Sequence, residues 1–178
     1  MIKLIDANDK YIEQYKEAYI EMQRQIELGN VKKHNMVFMN PEEKDIVQIF
    51  KDNRNQDKLP SYYVPSYDYF AVEDDKFIGE IHIRIRLTEK LLKYGGHIGY
   101  AINPKYWKMG YGKELLKLGL EKAKELIEEK NILLTCDDDN IGSYKIIEYN
   151  GGILENKVEN EDCGEKFITR RYWIKKNQ

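Results

Sequence analysis

The chain has 178 residues, the size of one domain, which fixes the expectation of a single unit over 1–178. Lysine plus arginine (29) nearly balance aspartate plus glutamate (31), and a formal net charge of -2 gives no broad pull toward nucleic acid or an anionic membrane. No apolar run reaches membrane-spanning length, no signal-peptide pattern opens the chain, Cys136 and Cys163 are too few and too far apart for a disulfide framework, and the histidines lack metal-ligand spacing. A cytoplasmic enzyme without a metal is the class these exclusions leave.

In chain order, Ile2–Ile5 predicts a first strand. Asn8 is the expected cap of a helix to about Leu28, with Ile12, Tyr15, Tyr19, Met22 and Ile26 on one stripe and Gly29-Asn30 as the stop. Asn40-Pro41-Glu42-Glu43 reads as a second helix start, with Ile46, Val47, Ile49 and Phe50 inward. Residues 54–66 are irregular, broken by Pro60 and Pro65. Strands follow at about 67–73 and 76–87 across a turn at Asp74-Asp75. In the second, Phe77, Ile81, Ile83, Ile85 and Leu87 alternate with Lys76, Glu80, His82, Arg84 and Arg86. A polar connection spans 88–94 and a strand 97–103. A helix from about 109 to 129 turns Leu115, Leu116, Gly119, Ala123, Leu126 and Ile127 inward. Residues 131–136 predict a fully apolar, central strand carrying Cys136 as a buried thiol. A short helix precedes Gly151-Gly152, and strands near 152–159 and 165–175 form a hairpin around Glu161-Asp162-Cys163-Gly164.

The most informative segment is Ile98-Gly99-Tyr100-Ala101-Ile102-Asn103-Pro104-Lys105-Tyr106-Trp107-Lys108-Met109-Gly110-Tyr111-Gly112-Lys113. A strand runs through a short turn into a glycine-punctuated helix start. Free N–H groups of a first helical turn, with the helix dipole behind them, suit an anion. A Walker A loop is excluded, because one residue separates Gly110 from Gly112 and Glu114 follows Lys113. The dinucleotide fingerprint fails at Leu115, where a third glycine is required. Tight helix–strand packing is the plain alternative. A second segment also runs from strand through polar loop to helix. In it Ile132-Leu133-Leu134-Thr135-Cys136 leads into Asp137-Asp138-Asp139-Asn140-Ile141-Gly142-Ser143 and a short helix closed by Gly151-Gly152.

Together these segments, over roughly residues 68–160, resemble the GCN5-related N-acetyltransferase (GNAT) family. The string Gly95-Gly96-His97-Ile98-Gly99-Tyr100 is similar to a bacterial subgroup known only as predicted acetyltransferases. The resemblance implies an α+β fold: a mixed, mostly antiparallel sheet of six to seven strands flanked by helices on both faces. It implies acetyl-CoA as cosubstrate and direct attack by a primary amine, from a small molecule or a peptide, in a ternary complex. Neither nucleic acid nor membrane is an expected partner, and a homodimer is left open. A non-catalytic acyl-CoA-binding regulatory or sensor module is the alternative.

By the same resemblance, the backbone around Tyr100, Ala101 and Ile102 pairs with the pantetheine arm, and Lys108, Met109, Gly110, Tyr111, Gly112 and Lys113 cradle the pyrophosphate. Lys113 reads equally as a solvated helix lysine. Asn140 and Ser143 face the pantetheine region, or Asn140 simply caps its helix. Two departures stand out. Trp107 replaces the family's usual Arg or Gln, and Ile147 occupies the position of its usual tyrosine acid, which leaves Tyr144 as the nearest hydroxyl. For the base, Glu80 and His97 are the candidates, beside His82. The bland reading makes Glu80, His82, Arg84 and Arg86 a solvated strand face. Tyrosines 62, 63 and 67, set among Pro60 and Pro65, read as a lid over the acceptor or as a packed loop.

Overall fold

The computed structural model describes residues 1–162 and 164–176. Cys163, expected in a hairpin turn, lies outside the described residues. The elements are β1 (Lys3–Ile5), α1 (Ile12–Glu27), α2 (Ile46–Asp52), β2 (Ser66–Glu73), β3 (Lys76–Arg84), α3 (Glu89–Lys93), β4 (Ile98–Ile102), α4 (Tyr111–Leu126), β5 (Asn131–Asp137), α5 (Ile141–Tyr149), β6 (Ile153–Asp162) and β7 (Glu165–Lys175), with single 3-10 turns between some of them.

The α+β class is the expected one, and its strands divide between two antiparallel sheets, β1-β2-β3-β4 and β5-β7-β6. They part because β4 and β5 touch only where β4 begins. There His97 N–H donates to the Leu133 carbonyl at 2.8 Å, and Leu133 N–H returns to His97 Nδ1 at 2.9 Å. Gly96 makes this joint feasible: at φ +60° a Cβ would stand 2.6 Å from the Leu133 oxygen. Past that point β4 and β5 diverge.

Helices cover both faces. On one, α4 and α5 bury Leu115, Leu116, Leu120, Ala123 and Ile147 against Ile81, Ile83, Ile132 and Leu134. Gly119 lets α4 settle onto β3, where a Cβ would fall 2.1 Å from Ile81 Cδ1. On the other face, α1 and the segment around Phe38 pack Tyr15, Ala18 and Met22 onto Phe70, Phe77 and Ala101, with α2 adding Ile46 and Phe50. Tyr15 sits among the Phe38, Phe70 and Phe77 rings at 5.4–5.5 Å. Burial of each such side chain contributes roughly 1.5–3 kcal/mol.

Several boundaries differ from those the sequence predicts. Asn8 makes no side-chain cap; a 3-10 turn at 9–11 leads into α1. Asn40 closes a turn instead of a helix, and α2 starts at Asp45, whose carboxylate accepts Gln48 N–H at 3.0 Å. The connection at 88–94 holds α3, capped by Thr88. α4 stops at Leu126, where Ile127 turns extended to fill the core. Glu80 is fully buried and His82 nearly so, hence no solvated strand face, because α1 and α2 lie over them. Among the described residues no helix is long and apolar enough to cross a membrane.

Candidate active site

β4 pairs with β3 so that Arg84 N–H reaches the His97 carbonyl and Asn103 N–H the Ile78 carbonyl, with Tyr100 opposite Ile81. In an antiparallel ladder this alternation commits residues 97, 99, 101 and 103 to β3. The peptide groups of Tyr100 and Ile102 therefore turn to the other edge, into the gap opened by β5. Ala101, included in the expected pantetheine set, is committed to β3 instead, with its methyl in the core. Trp107 fixes the descent from β4 to α4, its indole N–H donating to the Ile102 carbonyl at 2.9 Å.

That descent ends in a backbone nest. Lys108 (φ +61°) and Gly110 (φ +90°) are both left-handed around Met109. Such turns point successive N–H groups into a concavity suited to anions. Among the described residues the Tyr111 and Gly112 amides meet no acceptor, as at any helix start. The two glycines differ in kind. A Cβ on Gly110 would meet nothing within 4 Å, whereas one on Gly112 would lie 2.4 Å from Ile146 Cδ1. Gly112 thus serves α4–α5 packing, and Gly110 faces open space. Met109 is exposed. Tyr111 is tied by its hydroxyl to Glu73 at 2.5 Å, and Lys113 stacks over Tyr149, 4.1 Å from the ring centre.

From the parted edge of β4 a cavity of about 800 Å³ extends across the α2 side of the first sheet. One wall is β5 and the start of α5, with Thr135, Cys136, Asp137, Asn140 and Ser143. Another is the segment 34–39 with Ile49, and a third is 59–64, including Tyr62 and Tyr63. Asn140 Oδ1 accepts Ser143 N–H at 3.0 Å, so it caps α5 while also lining the cavity. The Tyr100 hydroxyl lies 3.2 Å from Ser143 Oγ, and burial pushes the phenol's pKa up, so it keeps its proton.

Behind the cavity wall sits an ionic cluster that the strand alternation hinted at but could not assemble. His82 Nδ1 is 3.0 Å from Asp68 Oδ1, and Nε2 is 3.1 Å from Glu80 Oε1. These contacts are close yet off hydrogen-bond alignment, so they act as ion pairs; among the described residues Glu80 has no aligned donor on either oxygen. Asn53 steadies Asp68 at 2.7 Å. Burial opposes a charged ring at His82, but the Glu80 and Asp68 carboxylates outweigh it and hold its pKa at about 10. Burial dominates at Glu80 and pushes its pKa up. At Asp68 burial is outweighed by His82, and the pKa falls.

The three catalytic candidates of the sequence fare differently. Glu80 is sealed behind His82, and His82 is the member of the pair that lines the cavity. His97 is fully buried. Burial pushes its pKa down against the Glu129 carboxylate at 3.7 Å, and its Nδ1 is spent on Leu133 N–H. Tyr144 lies outside the cavity lining, its ring 4.0 Å from the Arg170 guanidinium. Ile147 is core. Sequence reasoning missed a second pair: His34, stacked on Phe167 at 4.6 Å, has Nε2 2.7 Å from Asp137 Oδ2 at the cavity wall. No local motif marks it, since the two are 103 positions apart.

An acetyltransferase (GNAT) domain family profile matches residues 18–153, well over half of the chain. The chain belongs to the GNAT acetyltransferase family, whose enzymes use acetyl-CoA. Similar solved structures include a GNAT acetyltransferase from Bacillus anthracis, 18% identical over 99% of this chain and 96% of that one, with TM-score 0.69. The microcin C7 self-immunity acetyltransferase MccE, in complex with acetyl-CoA and AMP, is 18% identical over 98% and 92%, with TM-score 0.68. RimL, a ribosomal L7/L12 alpha-N-protein acetyltransferase in complex with coenzyme A, is 15% identical over 98% and 93%, with TM-score 0.70. At these identities the likeness is one of fold. No curated protein matches the sequence.

Proposed function

We propose that the chain is a single-domain acetyl-CoA-dependent N-acetyltransferase acting on a primary amine by direct attack in a ternary complex. The observation that carries this reading is the parted edge of β4. Among the described residues the Tyr100 N–H and C=O and the Ile102 N–H face that edge without a strand partner, the Ile102 carbonyl being held by Trp107, between an anion nest at Lys108–Gly110 and the cavity beyond. In this reading Tyr100 and Ile102 hold the pantetheine amides as a neighbouring strand would. Gly110, Tyr111 and Gly112 present N–H groups to the pyrophosphate, flanked by Lys108, Met109 and Lys113. The acyl end then reaches the cavity beside Ser143.

The transfer forms one N–C bond, breaks one C–S bond and moves one proton from nitrogen toward sulfur. Tyr100 and Ser143, whose hydroxyls meet at the cavity wall, donate to the departing thiolate in place of Tyr144. A thiol of pKa about 8.5 leaves without full protonation, so a hydrogen bond is enough there. The amine proton leaves through water in the cavity, because both His34 nitrogens face carboxylates, Nε2 with Asp137 at 2.7 Å and Nδ1 with Glu165 at 3.2 Å. His82, held cationic at neutral pH, is not the base.

The test is release of CoA thiol from acetyl-CoA across a panel of primary amines, with initial rates at several concentrations of both substrates. Intersecting reciprocal plots are expected for a ternary complex. Parallel plots would overturn direct attack. Binding of CoA without turnover on any amine would move the assignment to an acyl-CoA-binding regulatory module.

A further inference from the structure

The cavity lining carries one guanidinium among the described residues, that of Arg84. Four of the chain's six arginines meet a carboxylate: Arg24 with Glu21, Arg54 with Asp6, Arg170 with Asp138 and Arg171 with Glu155. Arg86 is exposed and donates to Gln56. Arg84 is half-buried, and among the described residues no carboxylate stands within ion-pair reach of it.

Its Nη1 donates to the Gly95 and Gly96 carbonyls at 3.2 and 3.1 Å. Two neutral carbonyls anchor the guanidinium but do not balance its charge. Nη2 lies over Gly99 of β4, 3.6 Å from where a Cβ would stand, on the cavity side of the sheet. Burial pushes the Arg84 pKa down, and the nearest carboxylate effect, from Asp68, only partly opposes this. Asp68 and Glu80 are themselves engaged by His82. On the facing wall Asp137 is taken by His34, Asn35 and Lys32, and the lining also holds one charge of each sign at Lys90 and Asp162. A guanidinium withdrawn from water without a counter-charge is costly, and its planar fork matches a carboxylate.

We propose that the acceptor is a small amine that also carries a carboxylate, and that Arg84 binds that carboxylate while the amine points along β4 toward the thioester. This deepens the acetyl-transfer reading and rests on it. It also disfavours polyamines, whose second cation would be placed against Arg84 and His82.

The experiment uses the full chain and matched acceptors: free amino acids, the same amino acids as carboxamides, and spermidine. Wild type is expected to favour the acids in kcat/KM by roughly ten- to hundredfold, the range of a charge-assisted contact. Arg84→Gln removes the charge with a neutral polar side chain and is expected to erase that preference through KM for the acids, with kcat and the KM for acetyl-CoA unchanged. Arg84→Lys should restore part of it. Equal use of acid and amide by wild type overturns the proposal. So does an equal fall in kcat for both members of each pair in Arg84→Gln, which would place Arg84 on the reacting carbonyl or in the scaffold. A second readout needs no turnover: titration of N-acetyl amino acids against their amides, followed by calorimetry. Arg84-dependent binding of the acids in a protein that fails to consume acetyl-CoA would sustain the anion site and sink the acetyl-transfer reading. Turnover of acids and amides alike would do the reverse.

Discussion

Gly110 is the residue on which the pyrophosphate assignment turns. Its left-handed backbone and the empty space at its Cβ position distinguish it from nearby Gly112, which is packed on Ile146. Gly110→Val is expected to weaken CoA binding by calorimetry at least tenfold, because a branched side chain then stands over the amide nest and strains φ by about 1–3 kcal/mol. Gly29→Ala is the control: that glycine is also left-handed with open space, far from the nest in sequence, and should lower stability without touching CoA affinity. A folded Gly110→Val protein with wild-type affinity would remove the cradle from residues 108–113. A second residue-scale expectation concerns pH. His82 is raised from 6.5 to about 10 in the folded protein. Its contribution to stability is therefore complete below about pH 6.5 and drains away as pH rises through about 10. Asp68, lowered, contributes above its ordinary range and loses that as acid protonates it. His82→Asn should cost about 3–5 kcal/mol at neutral pH, as removal of one partner from a buried ionic cluster does, and should flatten the alkaline limb of the stability profile. Denaturant midpoints from neutral pH to the alkaline limb check this; an unchanged limb would mean that His82 is neutral in the fold.

At the scale of elements, α5 carries the clearest division of labour. Asn140 caps it through Ser143 N–H, and Ser143 and Tyr100 share a contact at the cavity. Asn140→Ala is expected to lower stability by about 1 kcal/mol, the worth of a cap, and to raise KM for acetyl-CoA by more than that loss explains. Unfolding curves read beside kinetics separate the two effects, and normal kinetics in a destabilised variant would reduce Asn140 to a cap. Tyr144, on the same helix, packs under Arg170. Tyr144→Phe should leave kcat and kcat/KM as they are, whereas Tyr100→Phe or Ser143→Ala should lower both together, as loss of a transition-state contact does. The opposite pattern would return the acid to Tyr144.

For the whole molecule, the division of the strands into two sheets is what gives a ligand leverage. The sheets share a joint at Gly96, His97 and Leu133 and then part, so a molecule lying along β4 completes one sheet edge. CoA at about a hundred times its Kd should therefore stabilise the fold by roughly 2.7 kcal/mol. Hydrogen exchange should show new protection at the Tyr100 and Ile102 amides, with Ala101 already protected by β3. Uniform protection, or none at Tyr100, would place the ligand elsewhere.

Much of this architecture is legible in the chain. Alternation and helical stripes mark the seven strands, α1 and α4, because burial on one face imposes a period the sequence must carry. The spacing of Gly110 and Gly112 after a strand and the Asn140–Ser143 segment point to a family that the domain match establishes. Starts set by a competing local cap are not legible: Asn40-Pro41 carries the same signal as a true helix entry, and only packing of Ile46 and Phe50 makes Asp45 the cap. Nor are the contacts between distant segments. Glu80 and His82 alternate like a wet face, and only α1 and α2 folding over them turn that face into an ionic cluster. His34 and Asp137 meet at the cavity wall from distant parts of the chain, and Arg84 becomes an unmatched cation only when β4 and the Gly95-Gly96 turn enclose it. Periodicity is a local property and is written in sequence; which charges share a cavity depends on how far the chain travels before it returns, and the tertiary structure alone decides that.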